Sequence, residues 1–413
     1  MANSMITPTI IAQEALMQLE NNCVMAKLVY RDYEDEFTKV GSSVSIRRPV
    51  QFTTTDGATL AKQDVTEGKF TLSVDKQKHV GWAFRSDDLT LTIENYSERY
   101  IKPAVIQLAN KIDADLCALY KDCWNWVGTL GATNTINSFA DFSKAPERLD
   151  NGAVPQDDRS MVMSPSDYWA FLGSQTTLFV DSIVNPAFRN GKMGNVGSVN
   201  TNMSQNVQTH TTGSRDNTTP LADAAAGNGV LSTTYATSKD TGTMILSTDG
   251  WANAKTIQIG DIFTISAVFS VNPVSKATLS FLQQFVVTVA VASTANGTDQ
   301  EVTISPPIIS SGAYQTVSAV AVDAGTITNL GTASTNYVQN MCFHKNAFAL
   351  VMRPLIMPDG VAFKSKQSKD GFSIRVLKDY DIINDEEVIR LDVLYGVKTI
   401  DARLATRVSG DGS

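Results

Sequence analysis

The sequence predicts an α+β protein with an all-β module set into its middle, and three observations carry that prediction. Residues 224–338 hold nine charged residues and no arginine, against 18% charged residues over the 413-residue chain, and charge returns abruptly around His344 and Lys345. Within that stretch, runs such as 262–269 and 285–291 are built from β-branched and aromatic residues between turn formers, the signature of short strands. Outside it, helical spacing (8–28, 95–126) alternates with period-two patterns (372–377, 387–396).

The first segment places Ile10, Ile11, Ala15, Leu16, Leu19, Cys23 and the run from Met25 to Leu28 near helical spacing, with Thr7 or Thr9 as caps. This is an amphipathic N-terminal arm. Glu14, Glu20, Asp32, Glu34, Asp35 and Glu36 make it acidic, which fits either a solvated helix face or a partner-binding one. Residues 41–50 read as a strand carrying Val44 and Ile46 and stopping at Pro49. A polar excursion covers 52–67, and alternation resumes from Phe70 towards Phe84. Two strands around a long polar excursion form an extended hairpin arm, and such a ribbon is marginal in water unless it lies on something.

Helical spacing from Tyr96 through Tyr100, Ile106, Ile112, Leu116 and Tyr120 to Cys123 predicts a helix of about thirty residues. Pro103 should mark its start or a kink, and Gly128 its end. A second helix is expected over 142–149 with Ser143 as cap. Residues 159–172 have the form strand, cap, helix, with Met161–Met163 as the strand and Ser164 or Ser166 as the cap. Residues 190–217, rich in Gly, Asn, Ser and Thr, read as a long loop. Beyond the charge-poor module, 346–353, 372–377 and 387–396 read as strands, the last two half-buried and antiparallel.

Composition excludes several functions. At 43% hydrophobic residues the chain can build sizeable cores, and no run approaches the ~18 apolar residues of a membrane span. The opening residues lack a basic region followed by an apolar core, so synthesis in the cytoplasm without an export signal is expected. A net charge of −8 argues against nucleic-acid binding, which needs clustered Lys and Arg.

Cys23, Cys117, Cys123 and Cys342 have neither zinc-knuckle nor disulfide-framework spacing and read as buried free thiols. His79, His210 and His344 stand in different regions without a metal-ligand neighbour, so no metal or cofactor is expected. The glycines at 191, 194 and 197 follow no apolar strand, and no nucleophile elbow or Walker loop is present. Asp87-Asp88 and Asp157-Asp158 read as caps or turn residues rather than catalytic pairs. Lys62 and Lys69 read as solvated lysines rather than isopeptide donors, and the sequons at Asn95, Asn202, Asn217 and Asn296 as plain polar sequence.

The order of arm, extended hairpin, long helix, α/β region and closing strands resembles the major capsid proteins of tailed bacteriophages, which share the Hong Kong 97-like fold. His344 to Leu350 with Arg353-Pro354-Leu355 looks like the strand that re-enters the main fold, and 394–403 looks like the final strand. In the insert, 259–265, 268–273 and 282–287 resemble the extra β-barrel domain of the short-tailed phage coat proteins.

The resemblance implies a domain plan: N-terminal arm 1–40, extended hairpin loop 41–90, peripheral domain with spine helix 91–145 and first axial part 146–223. The inserted β-barrel domain would cover 224–340, a return segment 341–370 and peripheral strands 371–413. It implies a shell built from hexamers and pentamers of the chain itself, around double-stranded DNA bound without sequence specificity. A scaffolding protein and a portal protein would be partners, with no membrane, no cofactor and no catalysis, and assembly would take place in the host cytoplasm. The scaffold contact would fall on Glu14, Glu20, Asp32, Glu34, Asp35 and Glu36, and the intersubunit loop on Phe52, Asp56, Lys62, Asp64, Glu67 and Lys69. Two other readings stand beside it: a tail or decoration component, which predicts β structure throughout, and an α/β enzyme, which predicts a cleft with perturbed titratable groups.

Overall fold

A computed structural model describes residues 8–33, 43–58, 60, 62–85, 100–131, 135–175, 191, 193–215, 220–224, 229–293, 300–369 and 371–411. Its elements begin with α1 (Pro8–Asn22), α2 (Met25–Leu28), β1 (Ser43–Arg47), β2 (Lys69–Ser73), β3 (Lys76–Arg85) and α3 (Lys102–Cys117). After a 3-10 turn at Ala118–Asp122 come β4 (Trp126–Val127), α4 (Phe139–Asn151), β5 (Arg159–Met163) and α5 (Pro165–Gln175). Then follow β6 (Asn195–Val196), β7 (Val199–Met203), β8 (Thr209–Thr211), β9 (Leu221–Ala222), α6 (Tyr235–Ser238), β10 (Met244–Asp249) and β11 (Thr256–Ile257). The chain continues through β12 (Ile262–Val271), β13 (Thr278–Val287), β14 (Val291–Ala292), β15 (Gln300–Ser305), β16 (Gly325–Asn329) and β17 (Asn336–Val338). It closes with β18 (Asn340–His344), β19 (Phe348–Met352), β20 (Phe363–Lys369), β21 (Phe372–Asp381), β22 (Glu386–Thr399) and β23 (Ala405–Val408).

The elements fall into two units, one of Met1–Val44, Thr71–Cys117 and Phe348–Lys398, the other of Ser45–Phe70, Ala118–Ala347 and Thr399–Ser413. In the first, β22 pairs with β3, β21 and β19, and β21 carries β20 on its other edge. The period-two pattern read at 372–377 and 387–396 is this sheet, with Phe372, Ile374, Val376, Ile389, Leu391 and Val393 buried. Gly396 permits a close approach: a Cβ there would stand 2.0 Å from the carbonyl oxygen of Ser73.

Helix α1 packs on α3, β20 and β21 through Ile11, Ala12, Ala15, Leu16 and Leu19, an apolar stripe at helical spacing. The helical pattern over 8–28 breaks after Asn22 because Asp113 on α3 accepts from the backbone N–H of Val24 (2.6 Å) and Ala26 (3.1 Å), capping α2. Thr9 lies inside α1 and so does not cap it; Thr7 lies outside the described residues. The expected arm is built into this unit. Tyr30 N–H donates to Phe348 O (3.1 Å) and Leu350 N–H to Tyr30 O (3.0 Å), a parallel bridge onto β19.

The thirty-residue helix expected over 95–126 is corrected. Residues 95–99 lie outside the described residues, and α3 spans 16 residues before tightening into the 3-10 turn. The apolar spacing at Leu119, Tyr120 and Cys123 survives that change because three residues per turn is close to 3.6 over one turn. Pro103 stands at the second position of α3, as expected of a start. Gly128 instead follows β4 at φ 90°, where a Cβ would meet the carbonyl oxygen of Ser409 at 1.9 Å.

In the second unit, a six-stranded sheet runs β4-β23-β18-β5-β7-β6. Helices α4 and α5 cover a core in which the Phe142 and Phe171 rings stack with centroids 4.9 Å apart. Ser164 caps α5, its Oγ accepting from Asp167 N–H at 3.2 Å. Helix α4 begins a turn earlier than expected: Ser138 is its cap, and Ser143 lies inside, donating to Ala140 O. The long loop expected over 190–217 is also corrected, since it supplies β6, β7 and β8. Strand β7 pairs in parallel with β5 and buries Val199 and Thr201. The closing strand is likewise later than expected: 394–403 covers the end of β22 and a 3-10 turn, and β23 follows.

The charge-poor stretch forms a closed barrel, β10-β15-β13-β12-β16-β9, whose first strand starts at Leu221. Its core is Leu246, Phe263, Ile265, Phe285, Val287, Val302, Ile304 and Ile327. The stretches 259–265 and 268–273 both run into one strand, β12, whose register against β13 shifts between Thr264 and Phe269, with Ala267 at φ 63°. Between those pairs β12 advances further than β13, an irregularity larger than the single extra residue of a β-bulge.

Candidate functional site

The side chains that join the barrel to the β4–β23 sheet come from three places, all within the second unit. Gln284 on β13 acts as a surrogate strand for β4: its Oε1 accepts from Trp126 N–H (2.6 Å) and its Nε2 donates to Trp126 O (2.9 Å). On another side, the Arg148 guanidinium of α4 lies 3.6 Å from the centroid of Phe281, and Asn272 Nδ2 donates to Asn151 O at 3.0 Å. Burial lowers the Arg148 pKa to about 10.

The third is a buried charged network. Asp261, in the turn before β12, accepts from His210 Nε2 (3.0 Å) and lies 3.2 Å from Arg215 Nη1, while Gly213 and Gln258 donate backbone N–H groups to it. His210 Nδ1 sits 3.1 Å from the Tyr120 hydroxyl. Arg407 on β23 stacks over Tyr120 (5.0 Å) and Trp126 (5.9 Å), and its Nη1 donates to Gly260 O (2.8 Å) and Gln339 Oε1 (3.3 Å). Burial alone would raise the Asp261 carboxyl; the His210 hydrogen bond and the Arg215 charge overcome it and hold the group below the usual carboxylate range. Burial lowers Arg407 to about 10.

This network was missed in the sequence, where His210 reads as part of a polar loop. Its partners Tyr120 and Asp261 lie 90 and 51 residues away, so no local spacing connects them. The four cysteines are buried free thiols, as expected, and burial raises each of them.

The hairpin arm is a second site. Strands β1 and β2 pair as a two-stranded sheet; Phe52, Asp56, Lys62, Asp64 and Glu67 beyond them, and Lys69 at the start of β2, are all exposed. Phe52, Leu60 and Val65 expose 63%, 80% and 57% of their surface, a large apolar area on a ribbon without a core of its own. Glu67 pairs with Arg47 at 3.2 Å in solvent, a contact of little energetic weight.

A ribbon of this kind needs a surface to lie on, and its root finds one within its own chain. The Tyr314 hydroxyl accepts from Gln51 N–H (3.2 Å) and donates to Thr66 O (3.3 Å), and Asp240 accepts from Lys69 N–H (3.0 Å). At Gly68 a Cβ would stand 2.6 Å from Lys239 O, so only glycine lets the ribbon lie this close to the segment that follows α6.

The described acidic residues of the N-terminal segment lie on separate helix faces and turns. Glu14 and Glu20 are half-buried on α1, about 600° of helical rotation apart, and Glu20 pairs with Lys369 at 3.7 Å. Asp32 is exposed in a separate turn, and Glu34, Asp35 and Glu36 lie outside the described residues.

The profile of the family described as "P22 coat protein - gene protein 5" matches residues 1–405. A solved structure titled "Mycobacterium phage Che8" aligns with a TM-score of 0.50 at 13% identity, covering 93% of this chain and 90% of that one. The capsid of Ralstonia phage GP4 aligns with a TM-score of 0.43 at 8% identity, covering 91% of this chain and 85% of that one. The capsid of an empty GTA particle aligns with a TM-score of 0.45 at 8% identity, covering 94% and 90%. No curated protein matches the sequence. The chain belongs to the P22 coat protein family and is a tailed-phage major capsid protein, a subunit of the icosahedral shell.

Proposed function

We propose that this subunit has the Hong Kong 97-like arrangement and that its β1–β2 arm is the extended loop that lies over the neighbouring subunit in the shell. The observation that carries this reading is the exposure of Phe52, Leu60 and Val65 on a ribbon with no core of its own. Burying such a side chain is worth about 1.5–3 kcal/mol, and a second copy is the surface that a lattice supplies. In this reading the barrel is the inserted domain of the coat-protein group. The sheet β4-β23-β18-β5-β7-β6 is axial, and α3 with β3 and β19–β22 is peripheral.

The same reading gives the subunit a scaffolding protein and a portal protein as partners, assembly in the host cytoplasm, and a structural role without catalysis. Scaffold would meet the acidic residues of the N-terminal segment, of which Asp32 is exposed. An acidic chain suits the inner wall of a DNA-filled shell because it does not neutralise phosphates.

The test is the triple variant Phe52→Ser, Leu60→Ser, Val65→Ser, scored by sedimentation for the fraction of subunits in shells. These residues are exposed in the free subunit, so its thermal unfolding should stay unchanged while shell yield drops at least tenfold. Unchanged yield would refute the intersubunit role.

A further inference from the structure

The root of the arm is held by a built device on the insert. Tyr314 sits in the connection between β15 and β16, in a turn closed by Gln315 N–H to Gly312 O (3.2 Å) and Thr316 N–H to Ile309 O (2.9 Å). Its ring stacks on Tyr235 of α6 with centroids 3.4 Å apart and planes 2° from parallel. Lys276 Nζ donates to Ala313 O (2.5 Å), and the Gln51 side-chain amide, in the orientation that satisfies both of its ends, donates to Ala313 O (2.9 Å) and accepts from Arg403 Nη1 (2.8 Å). The Tyr235 stack, the Lys276 bond and the turn's own backbone bonds hold ring and turn without the arm, as a positioning group requires, and Gln51 adds a contact from the arm itself.

What the hydroxyl does is bridge the two limbs of the ribbon. It takes the N–H of Gln51 on the outgoing limb, past β1, and gives its proton to the carbonyl of Thr66 on the returning limb, ahead of β2. Further out, Gln63 spans the same ribbon, its Oε1 accepting from Thr53 N–H at 3.0 Å and its Nε2 donating to Thr53 O. Nearer the body, Arg48 N–H donates to Gly68 O at 2.7 Å. One phenol thus closes the gap between two ribbon contacts and ties that point to the barrel.

We propose that Tyr314 is a positioning residue for shell assembly: through its hydroxyl, with Asp240 as second anchor, the inserted barrel of each subunit sets the direction in which that subunit's own arm leaves the body and meets the next copy. The insert thereby acts on lattice geometry from within the subunit. This rests on the reading of the arm as the intersubunit loop, and the test separates the two.

The variant is Tyr314→Phe in the full chain, which keeps the ring stack on Tyr235 and removes both hydrogen bonds; Asp240→Ala is the second variant. Two quantities are read: amide hydrogen exchange of the unassembled subunit, and the yield and diameter of the shells it forms. In Tyr314→Phe, exchange at the Gln51 amide rises at least tenfold while barrel amides such as Ile265 and Val302 keep their wild-type rates, and correct shells fall severalfold in favour of misshapen particles. Tyr314→Trp, which restores a donor without the phenol geometry, does not recover them. Unchanged exchange at Gln51 overturns the bridge itself. Faster exchange with wild-type shells overturns the positioning role alone; the intersubunit reading of the arm falls only if the Phe52→Ser, Leu60→Ser, Val65→Ser variant also keeps its shell yield.

Discussion

Arg407 Nη1 donates to the carbonyl of Gly260 at 2.8 Å, so the last strand of the chain holds the turn from which the barrel strand β12 departs. The guanidinium is sandwiched near Tyr120 and Trp126, with Asp261 next in the turn. The barrel is tied to the β4–β23 sheet through a buried cation.

Replacing Arg407 with Ala should destabilise the second unit by about 2–5 kcal/mol, because Gly260 O and Gln339 Oε1 lose their donor and a cavity opens beside Tyr120 and Trp126. Arg407→Met, which keeps the apolar stem between the rings, should cost less. Calorimetric unfolding of the free subunit measures both.

Acid should loosen the same junction. The Asp261 pKa is lowered in the folded chain relative to an ordinary value of 3.8, so its contribution is fully present above about that pH and is lost as pH falls through the lower, folded value. Unfolding midpoints between pH 5 and pH 2 should fall for the wild type. Asp261→Asn should be less stable at neutral pH and should show a shallower decline over that window.

Gln284→Ala should expose the missing surrogate strand. The N–H and C=O of Trp126 lose the partners they have in Gln284, at a cost of about 1–3 kcal/mol. Hydrogen exchange at the Trp126 amide should accelerate, whereas amides deep in the barrel should not respond.

Gly396→Ala places a methyl group 2.0 Å from the Ser73 carbonyl oxygen, which β22 can accommodate only by moving. A loss of about 4 kcal/mol or more, seen as insoluble subunit at 37 °C, is expected.

Charge reversal of Asp32 to Lys tests the proposed scaffold contact. Asp32 is exposed in its turn, so stability should hold within about 0.5 kcal/mol. The scaffold content of immature shells, read on gels, should fall several-fold; unchanged content would remove Asp32 from that surface.

Much of the fold was legible because burial imposes periodicity. Strands β21 and β22 alternate visibly, and the shortage of charge marks the barrel, whose interior is filled mainly by apolar side chains. The end of α3 was not legible, since a 3-10 turn continues the same apolar spacing for one turn. Strand β7 hid behind its composition: Val199 and Thr201 face the core, but Asn200 and Asn202 between them read as turn formers. The junction hid for a different reason. His210, Asp261 and Arg407 are distant in sequence, and each looks alone like an ordinary polar residue. The arm's exposure was legible; its anchor Tyr314 was not, because an isolated tyrosine in a Ser/Gly-rich turn carries no sign of the strand it holds.

The most direct measurement is electron microscopy of particles formed by the full-length chain expressed with a scaffolding protein from the same phage. Closed icosahedral shells, in which density for each β1–β2 arm crosses onto a neighbouring subunit while its root stays on its own barrel, are the predicted result. Discrete small oligomers, or shells in which the arm folds back on its own subunit, would contradict it.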